Sequence, residues 1–361
     1  MSHDIPRATG LLIIEVRNSN PNGDPDRDSD PRTRSHDGRG VISDVSFKRK
    51  LRDLVWNGAD FRDWPLSTPT PPADLLEAYK RGQSPVWEHV AAIMGGLDPL
   101  ANQIYVCRGR TYKEPASDAE FSEFKRRFWD CRIFGNTVIE RADVAQAEEA
   151  PFDDDAATAA ASVKPAKGKK DKEAVRPPKA GAGRFIRTGA VTFGIAVSAA
   201  KVRIQRDTNT VKAGVQEGKD RGMAPLGFRV VEHGVYAMPF AMNPTSARNS
   251  GCTAKDVELM CRLIPHAYAH NASRIRPMVE VRHAWYFQHA SPLGSCSDFA
   301  LFDLLTPRKE RAGEPSTAWA EYGYDAAALE AKVKKDYANA FSHFGDLCRP
   351  DFTDQVFPGR K

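Results

Sequence analysis

Four aspartates occupy every second position of a short segment near the start of the chain. They are Asp24, Asp26, Asp28 and Asp30. Carboxylate oxygens are the ligands that Ca²⁺ and Mg²⁺ prefer, so this spacing is typical of a cation-binding loop. A calcium-binding EF-hand loop needs Gly at its sixth position and Glu at its twelfth, whereas counting from Asp24 gives Ser29 and Ser35. We therefore expect the carboxylates to shape the loop or to be solvated, and we predict no metal site.

A second set of potential ligands lies in the second half of the chain. It consists of Cys252, Cys261, His266 and His270. Structural zinc sites use closely spaced cysteine pairs, which this set lacks. A helix with Cys261 turned inward, followed by scattered histidines, explains the pattern better. The sequence also contains no nucleophile elbow, no phosphate-binding G-x-x-x-x-G-K-[ST] and no H-E-x-x-H. We predict no catalytic residue and no cofactor.

A basic helix is predicted at residues 43–56, shortly after the aspartates. Its apolar side chains recur at helical spacing and should face the core: Phe47, Leu51, Leu54 and Val55. Lys48, Arg49 and Arg52 share the outer side, which is either an ordinary solvated face or a phosphate-binding surface. Residues 20–26 precede this helix and are rich in Asn, Asp, Gly and Pro, which favour a fixed backbone conformation. A rigid loop beside a cationic helix favours phosphate binding.

The elements that position these residues indicate an α+β fold. Strands are predicted at residues 11–16, 188–197, 236–242 and 278–289, and helices at residues 73–81, 86–94, 120–130, 253–264 and 326–344. Residues 201–206 and 223–231 should form the two arms of a hairpin around a polar turn at residues 207–222. Strand, helix, two strands, helix and strand is the ferredoxin-like order, as in RNA-recognition (RRM-type) sheets.

Composition limits the class of protein without identifying a partner. The chain has 361 residues, 41% of them hydrophobic, and a formal net charge of +5, so it can bury a large core and permits an anionic partner. Six scattered cysteines without an apolar leader predict reduced thiols and a cytoplasmic protein. No apolar run approaches the roughly 20 residues that cross a bilayer, so we expect no membrane insertion.

One segment, residues 142–184, differs from the rest in composition. Ala, Asp, Lys, Pro and Gly dominate it, and it offers almost nothing to bury, so we predict a flexible insert. The lysines within residues 164–172 have two interpretations, a solvated linker or a contact with nucleic acid.

Three motifs together resemble a known family. They are Asn-Pro-Asn-Gly-Asp-Pro-Asp at residues 20–26, Asp-Val-Ser-Phe-Lys-Arg-Lys at residues 44–50 and Arg-Ile-Phe-Gly at residues 132–135. With these motifs the chain resembles the CRISPR-associated, crRNA-binding backbone subunit (RAMP superfamily) of type I Cascade complexes, nearest to subtypes I-C and I-B. The resemblance extends over most of the chain, through the later strands and the region around residues 286–302.

This resemblance implies a hand-shaped protein with a ferredoxin-like (RRM-type) palm, inserted helical fingers and a β-hairpin thumb. The implied boundaries are residues 1–56 and 228–305 for the two parts of the palm, 57–141 for the fingers and link, 142–184 for the flexible insert, 185–198 for a further palm strand, 199–227 for the thumb and 306–361 for a C-terminal helical region. The insert has no counterpart in the family's pattern.

The resemblance also implies a function without catalysis. In this family several copies polymerise along one CRISPR RNA (crRNA) in antiviral defence. The palm holds the guide's phosphates, and the thumb of a neighbouring copy folds over the guide and flips out nucleotides. The implied partners are the crRNA, target DNA through the guide, neighbouring copies, and the large, small and crRNA-processing endonuclease subunits of Cascade, in a prokaryotic cytoplasm.

The RNA-binding residues follow from mapping the family onto this sequence. They are Asn20, Asn22, Lys48, Arg49, Arg52 and Arg132 on the palm side, and Lys201, Arg203, Arg206 and Met223 on the thumb. A guide that pairs with any target must be held by its backbone, so cations and polar loop groups suit this role. Met223 would wedge between bases as an apolar intercalator, and an ordinary buried methionine is the competing interpretation.

Two other functions stay open from the sequence. Related type III backbone subunits use an Asp in the loop after the first strand to cut target RNA, so a metal-dependent ribonuclease using Asp24 or Asp26 is the main alternative. The Pro-Asn-Gly-Asp-Pro setting of these residues is the type I pattern. A stand-alone RNA-binding protein that forms no polymer is the other possibility.

Overall fold

The computed structural model describes most of the chain. The described residues are 5–56, 64–81, 85–107, 115–136, 186, 188–212, 223–311 and 313–358. The predicted insert at residues 142–184 and residues 213–222 of the predicted hairpin turn lie outside them. The insert's predicted flexibility and any RNA contact by its lysines therefore stay predictions.

The protein has mixed α and β structure built around an antiparallel sheet. Its strands are β1 (Ala8–Ser19), β2 (Gly23–Asp24), β3 (Asp30–Pro31), β4 (Arg39–Ile42), β5 (Val191–Phe193), β6 (Ala196–Lys201), β7 (Ile204–Lys212), β8 (Met223–Met242), β9 (Val279–His289) and β10 (Phe341–Asp346). The large sheet has the order β10-β9-β1-β8-β6-β4, and β5 and β7 pair with other parts of β8. β2 and β3 form a separate pair. The first strand of the sequence is therefore an interior strand of the sheet.

The position of β1 explains its nearly continuous apolar sequence. Leu12 and Ile14 belong to a core on one face of the sheet, and Leu11 and Ile13 belong to a second core on the opposite face. A strand buried on both faces has no solvent-facing positions, so it lacks the apolar–polar alternation of a half-exposed strand. The sheet thus has a hydrophobic core on each of its two sides.

Helices cover both faces of the sheet. They are α1 (Asp44–Val55), α2 (Ala73–Arg81), α3 (Pro85–Ile93), α4 (Asp118–Arg127), α5 (Trp129–Phe134), α6 (Pro244–Ser250), α7 (Ala254–Leu263), α8 (Asp298–Leu305), α9 (Ala326–Asp336) and α10 (Pro350–Val356). Phe47 of α1 and Val257 of α7 join the core that contains Leu12, whereas Leu301 of α8 joins the core that contains Leu11. Within the part of the chain that the structure describes, no helix is both long and apolar enough to cross a membrane.

Most elements predicted from hydrophobic periodicity are confirmed within a few residues. The basic helix is α1, where the Ser43 side chain accepts a hydrogen bond from the Ser46 amide, as expected for an N-cap. The helix predicted at residues 253–264 is α7, which begins with a reciprocal capping box between Thr253 and Asp256. The strand predicted at residues 278–289 is β9. Local capping and periodicity signals were sufficient for these elements.

The strand predicted at residues 188–197 is divided in two. β5 and β6 are separate strands, and both pair with β8. The break falls opposite Pro239, whose carbonyl accepts a hydrogen bond from the Gly194 amide at 2.8 Å. Proline has no amide hydrogen to donate, so the ladder on this side of β8 cannot continue regularly past it.

The predicted helix at residues 326–344 is wrong in its second half. α9 ends at Asp336, and Phe341 begins β10, which pairs with β9 at the edge of the sheet. The Phe344 ring stacks on that of Phe287, with centroids 5.0 Å apart, and Phe341 lies 5.3 Å from the same ring. Packing of these aromatic side chains on the sheet therefore outweighs local helical preference.

Candidate nucleic-acid interface

The loop after β1 has a fixed shape, as its composition predicts. β2 and β3 pair across it, and the Asp24 side chain accepts a hydrogen bond from the Asp26 amide at the start of a single 3-10 turn. Asp28 and Ser29 both have positive φ angles, 55° and 61°, a conformation that Asp and Asn tolerate better than most residues. The loop therefore presents its side chains in defined directions.

Asn20 and Asn22 lie inside this loop rather than on its surface. Both residues are buried. The Asn20 side-chain amide donates to the Ser29 carbonyl at 2.8 Å, and the Asn22 side-chain oxygen accepts from the Ser43 amide at 2.9 Å. Asn22 thus ties the loop to the N-cap of α1. This placement makes both asparagines positioning residues and does not support their predicted role as direct phosphate ligands.

The loop aspartates serve as counterions for arginines. Asp30 accepts hydrogen bonds from the Arg206 guanidinium at 2.6 and 2.9 Å, and Asp28 pairs with Arg229 at 2.9 Å. We call these four residues the arginine–aspartate clasp, because they join the loop to the base of the β7–β8 hairpin. Asp24 lies 3.6 Å from an Arg32 nitrogen.

The described segments contain no group of three or more His, Cys, Asp or Glu side chains arranged to hold a metal ion. Cys261, a member of the predicted Cys/His series, is fully buried in α7, in agreement with the inward-facing cysteine expected from the sequence.

Only part of the cationic face of α1 is open to solvent. The Lys48 ammonium lies 2.8 Å from Asp44, with 15% of its side chain exposed, and Arg49 lies 2.8 Å from Asp53, with 35% exposed. Arg52 is buried, and its Nε donates to Asp130 at 2.9 Å.

The expectation that Arg52 lies on the outer side with the other two cations is wrong. Asp130 is completely buried and also accepts hydrogen bonds from the Tyr105 and Val106 amides. The chain at residues 105–106 thus covers this part of the helix, which helical spacing alone could not reveal. Arg52 links α1 to Asp130 of α5, and its burial does not support the predicted contact with RNA.

Arg132 is also a structural residue. It is buried, and its Nε and one terminal nitrogen bind both oxygens of Asp256 at 2.9 and 2.6 Å. The remaining N–H groups donate to the carbonyls of Lys125, Arg126 and Ala101 at 2.8, 2.8 and 2.9 Å. An arginine has five N–H donors, so none is left for a phosphate. This geometry does not support the predicted RNA contact of Arg132.

The most exposed of the predicted cations lie at the start of the hairpin and in the residues just before it. β7 and β8 pair from Ile204 opposite Val231 to Lys212 opposite Met223, so the first arm starts three residues later than predicted and is longer. Arg203 and Arg206 have 59% and 58% of their side chains exposed. Lys201 is exposed at the end of β6. The side chain of Met223 lies outside the described part of the chain, so its wedge role stays a prediction.

A buried serine–histidine–glutamate arrangement lies at the base of the hairpin. His233 of β8 is 2.7 Å from the Ser316 hydroxyl and 3.1 Å from Glu15 of β1. Residues so far apart in sequence carry no local signal, and sequence analysis missed this group. All three residues are at most 3% exposed, so the serine has no access to a substrate and the group links β1, β8 and the C-terminal region.

This network predicts that stability depends on pH. Burial lowers the pKa of His233, and hydrogen bonding to Glu15 offsets only part of that shift, with Arg17 and Glu321 as the other nearby charges. As pH drops below about 6.5, the ordinary pKa of histidine, His233 binds a proton more readily in the unfolded chain than in the folded protein. The free energy of unfolding therefore decreases below that pH. Urea unfolding of the wild type should show this loss, and His233→Gln should flatten it. His289, whose pKa burial also lowers, should supply part of the remaining slope. An equally steep slope in the variant would contradict the assignment.

Comparisons with known proteins place this geometry in context. The model of the family "CRISPR-associated protein Cas7" matches residues 6–327. A chain of a "CRISPR RNA-guided surveillance complex, pre-nicking" is 14% identical, with a TM-score of 0.43, and the match covers 92% of this chain and 90% of that one. A chain of a "CRISPR RNA-guided surveillance complex" is 12% identical, with the same TM-score, and the match covers 97% and 98%. Comparison with curated protein sequences found no match.

Proposed function

Because this chain belongs to the CRISPR-associated protein Cas7 family, we propose that it is a non-catalytic backbone subunit of a type I CRISPR surveillance complex. In this role several copies assemble along one crRNA, hold its phosphate backbone and present its bases for pairing with target DNA. The observation that carries the proposal is the family match over residues 6–327. The exposed lysine and arginine side chains described above supply positive charges that can contact an RNA backbone.

The sheet topology supports a ferredoxin-like palm. In chain order the relevant elements are β1, α1, β6, β8, α7 and β9, and in the sheet the four strands lie in the order β9-β1-β8-β6. This is the strand, helix, strand, strand, helix, strand succession of that fold. We propose the β7–β8 hairpin as the thumb and residues 57–141 as the fingers, with the other boundaries as the resemblance implies.

The phosphate contacts are proposed for the cations that reach solvent. These are Lys48, Arg49, Lys201, Arg203 and Arg206. Lysine and arginine bind the nucleic acid backbone without reading base edges, which suits a guide whose sequence varies from one crRNA to the next. Asn20, Asn22, Arg52 and Arg132 are proposed to hold the loop, α1 and α5 in place behind this surface.

The proposed partners follow from this role. They are the crRNA, target DNA paired with it, neighbouring copies of this chain, and the large, small and crRNA-processing endonuclease subunits of a prokaryotic cytoplasmic complex. Subtype I-C or I-B is the proposed assignment.

Assembly on RNA tests the proposal directly. We expect multi-angle light scattering of the purified protein to give a mass that grows in whole-protomer steps as a single-stranded RNA is lengthened. RNAs of different sequence should give the same steps, because the backbone is what is held. A single protomer on every RNA would instead identify a stand-alone RNA-binding protein.

The same assembly separates the proposal from the ribonuclease alternative. A complementary RNA is added to the assembly in the presence of Mg²⁺, and the products are sized on a denaturing gel. We expect intact RNA. Cleavage at regular spacing that is lost in Asp26→Ala would contradict the non-catalytic role.

A further inference from the structure

Two arginines lie directly opposite each other at the base of the β7–β8 hairpin. Arg206 of β7 is in register with Arg229 of β8, so both side chains leave the same face of the ladder. Like charges in directly opposite positions destabilise a pair of strands. The two aspartates of the arginine–aspartate clasp neutralise this pair. The base of the hairpin is therefore a position that requires an anion.

The Asp30 carboxylate contacts both guanidinium groups. Arg206 donates to it through Nε and a terminal nitrogen, at 2.9 and 2.6 Å, and the Nε of Arg229 lies 3.7 Å from its other oxygen. Two N–H groups of one guanidinium directed at one anion are also the geometry in which arginine binds phosphate. The carboxylate thus occupies the place from which an anion reaches both arginines.

The clasp is open to solvent, and so to an RNA strand. The exposed fraction of the side chain is 58% for Arg206, 30% for Arg229 and 84% for Asp28. Ion pairs between exposed side chains contribute little to stability. An RNA held by neighbouring cations presents its phosphates at a high effective concentration, so phosphate can replace the carboxylates at small cost.

The loop that supplies the carboxylates has an unusual backbone conformation. Asp28 and Ser29 both have positive φ angles, which few non-glycine residues adopt. Such conformations persist where surrounding contacts hold them. Arg229 provides some of these contacts, because its guanidinium donates to the carbonyls of Arg27 and Asp28. Release of Arg229 from the loop therefore removes bonds that keep the loop in this form.

We propose that Arg206 and Arg229 form a binding site for an RNA phosphate, which the carboxylates of Asp28 and Asp30 occupy in the free chain. An RNA phosphate takes the place of the carboxylates on binding, and the loop separates from the hairpin at the same time. This inference rests on the proposed function, because it describes how the hairpin meets the RNA backbone. It adds Arg229 to the RNA-binding surface and makes the two aspartates internal competitors of RNA.

Neutralising a competitor tests this exchange. Asp30→Asn keeps the size of the side chain and removes its charge. In fluorescence anisotropy with a labelled RNA that holds one protomer, we expect its RNA affinity to be roughly threefold to tenfold higher than that of the wild type, the range that corresponds to the loss of one exposed ion pair. Asp28→Asn, at a more exposed position, should change the affinity in the same direction.

The matched control is Asp26→Asn, which removes the same charge from the same loop. Asp26 is exposed, and among the described ion pairs neither arginine of the clasp is joined to it. At about 0.15 M salt, charges that are more than roughly 8 Å apart are largely screened. We therefore expect the control to stay within about twofold of the wild-type affinity in that buffer.

The gain in affinity should depend on the two arginines. When Arg206→Ala and Arg229→Ala are both present, Asp30→Asn should have no more effect than Asp26→Asn, because the site that it unblocks is absent. Arg229→Ala alone should weaken RNA binding about as much as Arg206→Ala alone.

The outcomes separate this inference from the function on which it rests. An unchanged or lower affinity of both Asp30→Asn and Asp28→Asn, with normal RNA binding by the wild type, would overturn the exchange and leave the backbone function intact. Equal gains in Asp30→Asn and Asp26→Asn would also overturn it, because they would show a general effect of charge. Absence of RNA binding by the wild type would overturn the proposed function and this inference with it.

Discussion

Replacing Arg132 with methionine is expected to lower the free energy of unfolding by about 3–5 kcal/mol, the usual effect of removing one partner of a buried ion pair. Methionine keeps much of the side-chain volume but leaves the Asp256 carboxylate buried without its cation. Asp256 also accepts hydrogen bonds from the amide and hydroxyl of Thr253, at 2.8 and 2.9 Å. These bonds only partly replace the two lost from the guanidinium.

Urea unfolding followed by tryptophan fluorescence measures this effect. Arg126→Met is the matched control, because Arg126 pairs with Glu123 at 2.6 Å but has 42% of its side chain exposed, and such pairs contribute at most about 1 kcal/mol. Adding Asp256→Asn to Arg132→Met should recover part of the loss, since the buried charge is then absent. RNA affinity of folded Arg132→Met should equal that of the wild type. A large loss of RNA affinity with unchanged stability would instead make Arg132 a phosphate ligand.

Removing together the three cations within residues 201–206, at and just before the start of β7, should weaken RNA binding on the order of 10²-fold at low salt. The variant is Lys201→Ala with Arg203→Ala and Arg206→Ala, and the estimate takes about 1 kcal/mol per lost contact. Each phosphate contact on a single strand also releases counterions, so the slope of log affinity against log salt should become shallower by about 2 for three contacts. The loss should be similar for RNAs of unrelated sequence.

Fluorescence anisotropy with a labelled RNA that holds one protomer measures both quantities across a salt series. The control removes three lysines of α9, Lys332, Lys334 and Lys335, which changes net charge by the same amount on another element. We expect that control to keep the wild-type salt slope. Equal losses in the two triple variants would mean that net charge alone, rather than the hairpin, determines RNA affinity.

An element of the fold can be predicted from the sequence when the residues that determine it lie close together in the chain. α7 could be predicted because Thr253 and Asp256 cap it and its apolar residues recur at helical spacing. The fixed loop after β1 could be predicted from its Asn, Asp, Gly and Pro content for the same reason. β10 could not, because it forms by pairing with β9 and by packing of Phe341 on Phe287, and both partners are distant in sequence.

The burial of two predicted RNA-binding residues has a common physical cause. The family resemblance implies RNA contacts for Arg52 and Arg132, whereas the structure buries both side chains. Their partners, Asp130 and Asp256, are 78 and 124 residues away in sequence, so periodicity carries no information about them. In contrast, the view of the loop aspartates as architectural residues agrees with the structure, since Asp28 and Asp30 pair with Arg229 and Arg206.

The continuity of β8 gives the hairpin a fixed reach. β1 pairs with β8 no further out than Val231, and beyond it residues 223–230 of β8 are paired only with β7. Eight residues of antiparallel strand extend about 27 Å, so this arm projects by that length from the sheet without a flexible joint in the backbone. The clasp lies at the point where the arm leaves the sheet. The length of the strands therefore sets the distance between the sheet and any partner that contacts the end of the arm. Inserting two residues into each strand would lengthen that distance by about 7 Å.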